Sequence, residues 1–290
     1  MNNLLKTFSQ RFSCDDDCYK YLAGIKWPNE NFVCRRCGNT TYHHGRTPYS
    51  RRCNKCKRDE SVTSGTMFEK LKFPILTSFN IIIRLATQDT GISSTELAEM
   101  FGIQPKTCLA FRYKVQQAIK IIEQKPLKDA VGLGVFNIAN IHSGYWWQRD
   151  KPEQRIAVAA EIKGTKVNRA FAWVMKDGTA YYMGQFIKRH IHPEAHIFLI
   201  ERYGYKQLHR EHKLITMVRD MKLLDEHFNT LRRSFFSENH SYSFDHLQGY
   251  LDEYHFRFNH QQNTHRNFDI IIRMMVRGKQ EKTNERFFTT

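Results

Sequence analysis

The chain has 290 residues, room for about two domains at the usual 100–200 residues each, and its 41% hydrophobic and 13% aromatic content supplies a core and argues against wholesale disorder. Lys and Arg number 45 against 29 Asp and Glu, a net charge of +16 that predicts attraction to a polyanion. No run approaches the ~18 consecutive apolar residues of a membrane span, and residues 1–12 lack the unbroken apolar stretch of a signal peptide, so membrane spanning and secretion are both disfavoured.

Asp15-Asp16-Asp17 reads as the acidic first turn of a helix, favoured by the helix macrodipole, with Cys18, Leu22 and Ile25 recurring on its core face. Seven cysteines leave one unpaired in any disulfide scheme, and their uneven spacing points to metal binding in a reducing compartment. Cys34-Arg-Arg-Cys37 is followed after fifteen residues by Cys53-Asn-Lys-Cys56. A two-residue gap lets both thiolates of a tight turn reach one ion at about 2.3 Å, and two such knuckles close a tetrahedron with no position left for water. A structural zinc held by Cys34, Cys37, Cys53 and Cys56 is therefore expected, with Arg35, Arg36, Lys55 and Lys57 offsetting the thiolate charge and Gly38 leaving the first knuckle at positive φ. Cys14 and Cys18 read as structural, and His43 and His44 as solvent- or phosphate-facing.

Lys72-Phe-Pro-Ile75 opens an apolar helix through Leu85. A second helix ends at Phe101, capped at its start by Ser93 or Ser94 and stopped by Gly102. A third runs from Thr107 to about Ile122, with Leu109, Tyr113 and Ala118 among its apolar positions, and the pair reads as a helix-turn-helix with Lys106, Thr107, Arg112 and Lys114 as candidate DNA contacts. Beyond Pro126, strands are predicted at Gly134 to Ile141, Ile156 to Glu161, Val167 to Met175 and His196 to Ile200, with Gly164 marking the turn between the second and third, a helix over Thr179 to His190 and a long helical stretch from about Asp225. This order implies an α/β domain with a mixed sheet. Residues beyond about Asn259 are polar and basic and read as a loosely ordered tail.

Trp27-Pro28 ahead of the ribbon, the paired knuckles, Ser61-Val-Thr-Ser-Gly65-Thr66-Met-Phe68, Ile92-Ser-Ser-Thr-Glu-Leu-Ala98, Lys106-Thr107 and the run from His246 to Asn259 together resemble the zinc-ribbon DDE transposases of bacterial insertion sequences, a group related to the eukaryotic Merlin transposons. The resemblance covers about Phe8 to Asn259. It implies an RNase H-like nuclease core in which acidic residues hold two divalent metals ~3.5–4 Å apart. The family's first acid, mid-strand in a valine-glutamate-valine-aspartate-glutamate stretch, falls here on Ile138, followed by Ala139. The second falls on Ile200, with Glu201 one place along, and the third on Arg232. Apolar side chains cannot ligand a hard cation and Arg232 would repel one. Asp129, Asp150, Glu201 and Glu226 are the carboxylates that could substitute.

The sequence thus divides into an N-terminal helix plus zinc ribbon (1–72), a helix-turn-helix region (73–125), an RNase H-like domain (126–260) and a basic C-terminal tail (261–290). The reading is a cytoplasmic, nucleoid-associated DNA-binding protein of the transposase family, with structural zinc and no catalytic residues at the expected positions. The alternative is an active insertion-sequence transposase using Mg²⁺ or Mn²⁺. Self-association stays open.

Overall fold

The computed structural model describes residues 2–88, 91–138, 154–175, 180–200, 208, 214–235 and 246–284. The chain forms two compact units: residues 1–87, 94–122 and 263–290 make one, and residues 88–93 with 123–262 make the other.

The first unit begins with helices α1 (Asn2–Arg11) and α2 (Asp15–Lys26). The acidic first turn of α2 acts through Asp17, whose carboxylate accepts hydrogen bonds from the Ser13 backbone N–H at 2.8 Å, the Ser13 hydroxyl at 2.7 Å and the Cys14 backbone N–H at 3.2 Å. These satisfy donors that the helix start would otherwise leave orphaned. Cys18, Leu22 and Ile25 are buried as their spacing predicted. A three-stranded antiparallel sheet follows, β1 (Tyr42–His44), β2 (Arg51–Cys53) and β3 (Asp59–Glu60), in the order β1-β2-β3.

Helices α3 (Ile75–Thr87), α4 (Ser94–Phe101) and α5 (Pro105–Ile122) complete the N-terminal part of this unit. Between α4 and α5, Gly102 takes φ +62°. The Ile103 N–H bonds to Ala98 O at 3.0 Å and the Gly102 N–H to Glu99 O at 3.3 Å, the Schellman pattern that a left-handed residue permits. Pro105 then opens α5, where its missing N–H costs nothing.

The loosely ordered tail is corrected by the structure. Residues Thr264–Asn284 are helical. Phe268, Ile271, Ile272, Met275 and Val276 are buried at i, i+3, i+4, i+7 and i+8, one apolar stripe under a polar average composition. The Phe268 ring sits 4.9 Å from Phe8, 5.6 Å from Phe12 and 5.3 Å from Phe79. The stripe from Phe268 to Val276 is therefore part of the core of the first unit.

The second unit is built on a five-stranded sheet: β4 (Ala130–Ile138), β5 (Gln154–Lys163), β6 (Lys166–Met175), β7 (His196–Ile200) and β8 (Ile215–Val218), ordered β6-β5-β4-β7-β8. The first three strands are antiparallel, whereas β4–β7 and β7–β8 are parallel. This is an RNase H-like mixed sheet. Strand β4 starts four residues before the expected Gly134, and the expected positions 139–141 lie outside the described residues. Strand β8 was not foreseen at all. Gly164 makes the β5–β6 turn at φ +62° as predicted.

Val131, Leu133 and Val135 of β4 pack with Met183, Phe186 and Ile187 of helix α6 (Ala180–His190). On the opposite face, Phe136 packs with Leu224, Phe228 and Leu231 of helix α7 (Lys222–Phe235). The single long helical stretch expected from Asp225 is instead α7 and a separate helix α8 (Leu247–Asn259).

Helix α8 lies along β6, the edge strand of the sheet. Asn259 accepts from the Ala170 N–H at 2.8 Å and donates to Ala170 O at 3.1 Å. Gln248 accepts from the Val174 N–H at 2.8 Å and donates to Ala172 O at 3.0 Å. Two amide side chains thus occupy backbone groups that an open edge would offer to another strand, which gives the run from His246 to Asn259 a structural task.

Candidate metal centre and nucleic-acid interface

The four ribbon thiols converge. Cys34 Sγ lies 3.5 Å from Cys56 Sγ and Cys37 Sγ 3.6 Å from Cys53 Sγ, and all four ligand atoms fall within 4.8 Å of one another. A tetrahedron with ~2.3 Å zinc–sulfur bonds has sulfurs about 3.8 Å apart, so the donor set fits zinc in both chemistry and spacing. Each knuckle is closed by its own backbone. The Gly38 N–H bonds to Cys34 O at 2.8 Å and the Lys57 N–H to Cys53 O at 3.0 Å. The two residues occupy equivalent places, four after the first cysteine of each pair, and both are left-handed: Gly38 at φ +70° and Lys57 at φ +56°. Burial raises the Cys53 thiol, but the backbone N–H groups of Cys56 and Lys55 and the neighbouring thiols outweigh it and hold it down at about 6. Cys14 is exposed and Cys18 buried, and neither joins the cluster. His43 is exposed and bonded to the Asn54 side chain at 2.7 Å.

A buried ion pair fastens the ribbon to α2. Lys26 Nζ lies 3.0 Å from Glu60 Oε1 on β3 and donates to Ser61 O and Ser64 O, each at 2.7 Å. Burial pulls the Lys26 ammonium down to about 8 against the opposing pull of Glu60. Gly65 has φ +70°, and any Cβ there would collide with the Arg35 guanidinium from the first knuckle. The Ser61–Gly65 segment is thus a carbonyl cradle for one cation and a flat seat for another.

The four candidate DNA contacts on α5 separate into different roles. Lys106 is exposed and Thr107 half-buried at the start of the helix. Together with Lys70, Lys72 and Lys114 they line a cavity of about 250 Å³ over Phe73 and Phe111. Lys114 donates to Glu69 O at 3.0 Å. Arg112 is corrected. It is 1% exposed and reaches Ser94 Oγ on α4 at 3.4 Å, because positions 108, 112, 115 and 119 face inward. A buried guanidinium cannot meet a phosphate. The exposed stripe of α5 is instead Lys106, Ala110, Tyr113 and Lys120, with Tyr113 59% exposed. Sequence reasoning passed over Tyr113 as one of the apolar positions of the helix.

In the second unit, an open α/β sheet receives ligands at the carboxyl ends of its parallel strands. Here those are the ends of β4 and β7, and Leu133 pairs with Leu199. Past that pair β4 continues as Gly134, Val135, Phe136, Asn137 and Ile138, and β7 ends at Ile200, which is 3% exposed. The Phe136 and Phe228 rings stack with centroids 4.1 Å apart and planes at 18°. A Cβ at Gly134 would lie 3.2 Å from Leu224 Cδ2, so α7 is pressed directly onto the strand. Ile138 is the last described residue of β4 and pairs with Gln154. Arg232 is exposed on the last turn of α7.

Of the substitute carboxylates, Asp129 sits at the other end of β4, its carbonyl accepting from the His196 N–H at 2.8 Å. Glu226 is exposed and pairs with Lys222 at 3.8 Å. Asp150 and Glu201 lie outside the described residues. Among the described residues, the only group of three or more side chains able to hold a metal is the cysteine quartet.

Residues 13–59 match a transposase zinc-ribbon domain, and residues 146–259 match an ISXO2-like transposase domain. The chain belongs to the zinc-ribbon DDE transposases. No curated protein matches it. Within this transposase, the ribbon match contains all four cysteines, whereas the match to the catalytic domain begins after β4. Membership implies DNA as the partner, and no helix among the described residues is long and apolar enough to cross a membrane.

One further cluster was not visible in the sequence. His227 of α7 and His255 of α8 are buried with Nε2 atoms 3.3 Å apart, and His255 Nδ1 lies 2.8 Å from Leu251 O. A carbonyl only accepts, so His255 carries its proton on Nδ1 and its bare Nε2 accepts from His227 Nε2–H. Burial pushes His227 down to about 4 and, joined by the neighbouring His227, holds His255 well below its ordinary value. The pair is a neutral clasp between two helices. The two histidines are 28 residues apart, with no local spacing that ties them together.

Proposed function

We propose that this transposase-family chain binds DNA through its zinc ribbon and helix pair and has no DDE nuclease activity. The observation that carries the reading is the Phe136–Phe228 stack at the carboxyl end of β4, beside buried Ile200, where a metal pair needs converging carboxylates. A hard divalent cation takes oxygen donors, and neither phenyl rings nor an isoleucine supplies one. The exposed Arg232 at the third acidic position and a domain match that begins only at residue 146 support the same reading. On the binding side, Lys106 stands at the N-terminus of α5 with Lys70 and Lys72 beside it, a placement suited to phosphates flanking a helix in the major groove. The reading carries with it a cytoplasmic, nucleoid-associated location.

The test is incubation of the full zinc-loaded chain with Mg²⁺ or Mn²⁺ and duplexes bearing candidate terminal repeats. Neither cleavage nor strand transfer is expected, and Ile138→Asp alone is not expected to restore them, since positions 200 and 232 stay unchanged. A metal pair lowers the barrier by several kcal/mol and each 1.36 kcal/mol is tenfold in rate, so an intact site would stand far above background. Metal-dependent cleavage by the unmodified chain, abolished by Glu201→Ala or Asp150→Ala, would establish the active-transposase reading instead.

A further inference from the structure

The C-terminal helix α9 (Thr264–Asn284) is held in place by more than its apolar stripe. Asp269 accepts from Arg11 at 3.0 Å and from the Tyr21 hydroxyl at 2.5 Å, the Asn267 amide donates to Ala86 O at 3.3 Å, and Met275 O accepts from the Met67 N–H at 2.9 Å. The one acid between residues 264 and 277 is thereby neutralised by α1 and α2. What α9 turns outward is cationic: Arg266, Arg273 and Arg277 are all exposed, and none has a hydrogen bond or ion pair among the described residues. At 3.6 residues per turn their spacings of seven and four keep the three within an arc of about 40°. They span about 16 Å along the helix, the rise of roughly five base pairs of duplex.

We infer that this outer edge of α9 is a second DNA-binding surface, on which Arg266, Arg273 and Arg277 each neutralise a backbone phosphate. The inference rests on the DNA-binding reading above and extends it to a face that the ribbon and helix pair leave unused. DNA is the favoured polyanion because α9 belongs to the same compact unit as the ribbon and α5. Guanidinium groups suit the task, since their fork of donors matches phosphate oxygens. The row is already fixed by the contacts of its helix, so little backbone ordering remains to oppose binding. Phosphate contacts carry no sequence information, so this surface would add affinity and register without adding specificity.

The experiment measures DNA affinity of the full zinc-loaded chain between 50 and 200 mM salt, for a terminal-repeat duplex and a random duplex. The variants are Arg266→Gln/Arg273→Gln/Arg277→Gln and the corresponding triple Lys. Three lost contacts should flatten the slope of log affinity against log salt by about 2.7, which makes the affinity drop across that range about 40-fold smaller. Both duplexes should be affected alike, and the triple Lys variant should keep the original slope because its charge is kept. Single Arg→Gln variants, each expected to remove about 0.9 of slope, serve if the triple variant loses zinc or helicity. An unchanged slope in a folded Gln variant overturns the inference while leaving the DNA-binding reading intact, and so does a loss confined to the terminal-repeat duplex. Absence of salt-dependent binding by the unmodified chain overturns that reading, and the inference with it.

Discussion

The zinc ribbon and the RNase H-like sheet face the same structural problem, bringing side chains from separate turns or strands to one point. In the ribbon, two knuckles contribute two cysteines each, and four sulfurs lie within 4.8 Å. In the sheet, β4 and β7 run side by side to a shared end, and there the chain places Gly134, Val135, Phe136 and Ile200. The backbone arrangement is present in both regions, but among the described residues only the ribbon brings metal-binding donor atoms together. A ribbon without its metal is a small unit with little core, whereas the described end of β4 is held by apolar packing of Phe136, Ile200, Leu224 and Phe228. A shared frame by itself is no guide to the chemistry mounted on it.

Breaking the ribbon gives the largest expected effect. Cys53→Ser should abolish zinc binding, read by elemental analysis, and unfold the ribbon, since structural zinc contributes on the order of 10–16 kcal/mol in isolated zinc modules. The sheet of the second unit should keep its hydrogen-exchange protection in the same variant. Full zinc content would sink the four-cysteine assignment.

Acid should strike the other region. His227, held at about 4 when folded, and His255, held lower still, both have ordinary values near 6.5. Between pH 6.5 and 4 the unfolded chain therefore binds more protons than the folded one, so stability falls as pH falls. The contribution of the pair is complete above 6.5, and each histidine removes about 1.4 kcal/mol per pH unit inside that window. Denaturant midpoints of the second unit at pH 7, 5.5 and 4.5 would measure this, and a flat midpoint would mean the pair is not held neutral.

The smallest effect sharpens the ribbon's own symmetry. Lys57 occupies at φ +56° the place that Gly38 holds in the other knuckle. A non-glycine residue pays roughly 1–2 kcal/mol for that conformation, so Lys57→Gly should raise the thermal midpoint of the zinc-bound chain slightly. A lower midpoint would indicate that the Lys57 charge beside the thiolates outweighs the backbone relief.

The pattern of what could be read in advance follows the reach of each signal. Local signals worked: the C-x-x-C spacing, the acidic turn at Asp15–Asp17, the Gly102 stop and the Gly164 turn each depend on a few adjacent residues. Short apolar runs placed β5, β6 and β7 within a few residues. The four-residue strand β8, buried only at Ile215 and otherwise partly open, carried too short a pattern to register. Arg112 was misplaced because charge suggested exposure, whereas helical phase puts it in line with Cys108 and Val115. The tail was misread for the opposite reason: average composition concealed the stripe from Phe268 to Val276. The His227–His255 clasp joins residues on separate helices, a pairing that periodicity on either helix cannot reveal.

The position of Phe268 among Phe8, Phe12 and Phe79 also has a temporal side. Phe8, Phe12 and Phe79 lack one wall of their core until α9 has been made. Roughly 140 residues separate Ile122 from Asn263, an interval of about 7–28 s at 5–20 residues per second. Throughout it the aromatic face of the N-terminal helices is open to water or to other chains. Synthesis of α9 is thus the event that closes the first unit, and any product truncated before residue 263 would leave the earlier part of it unfinished.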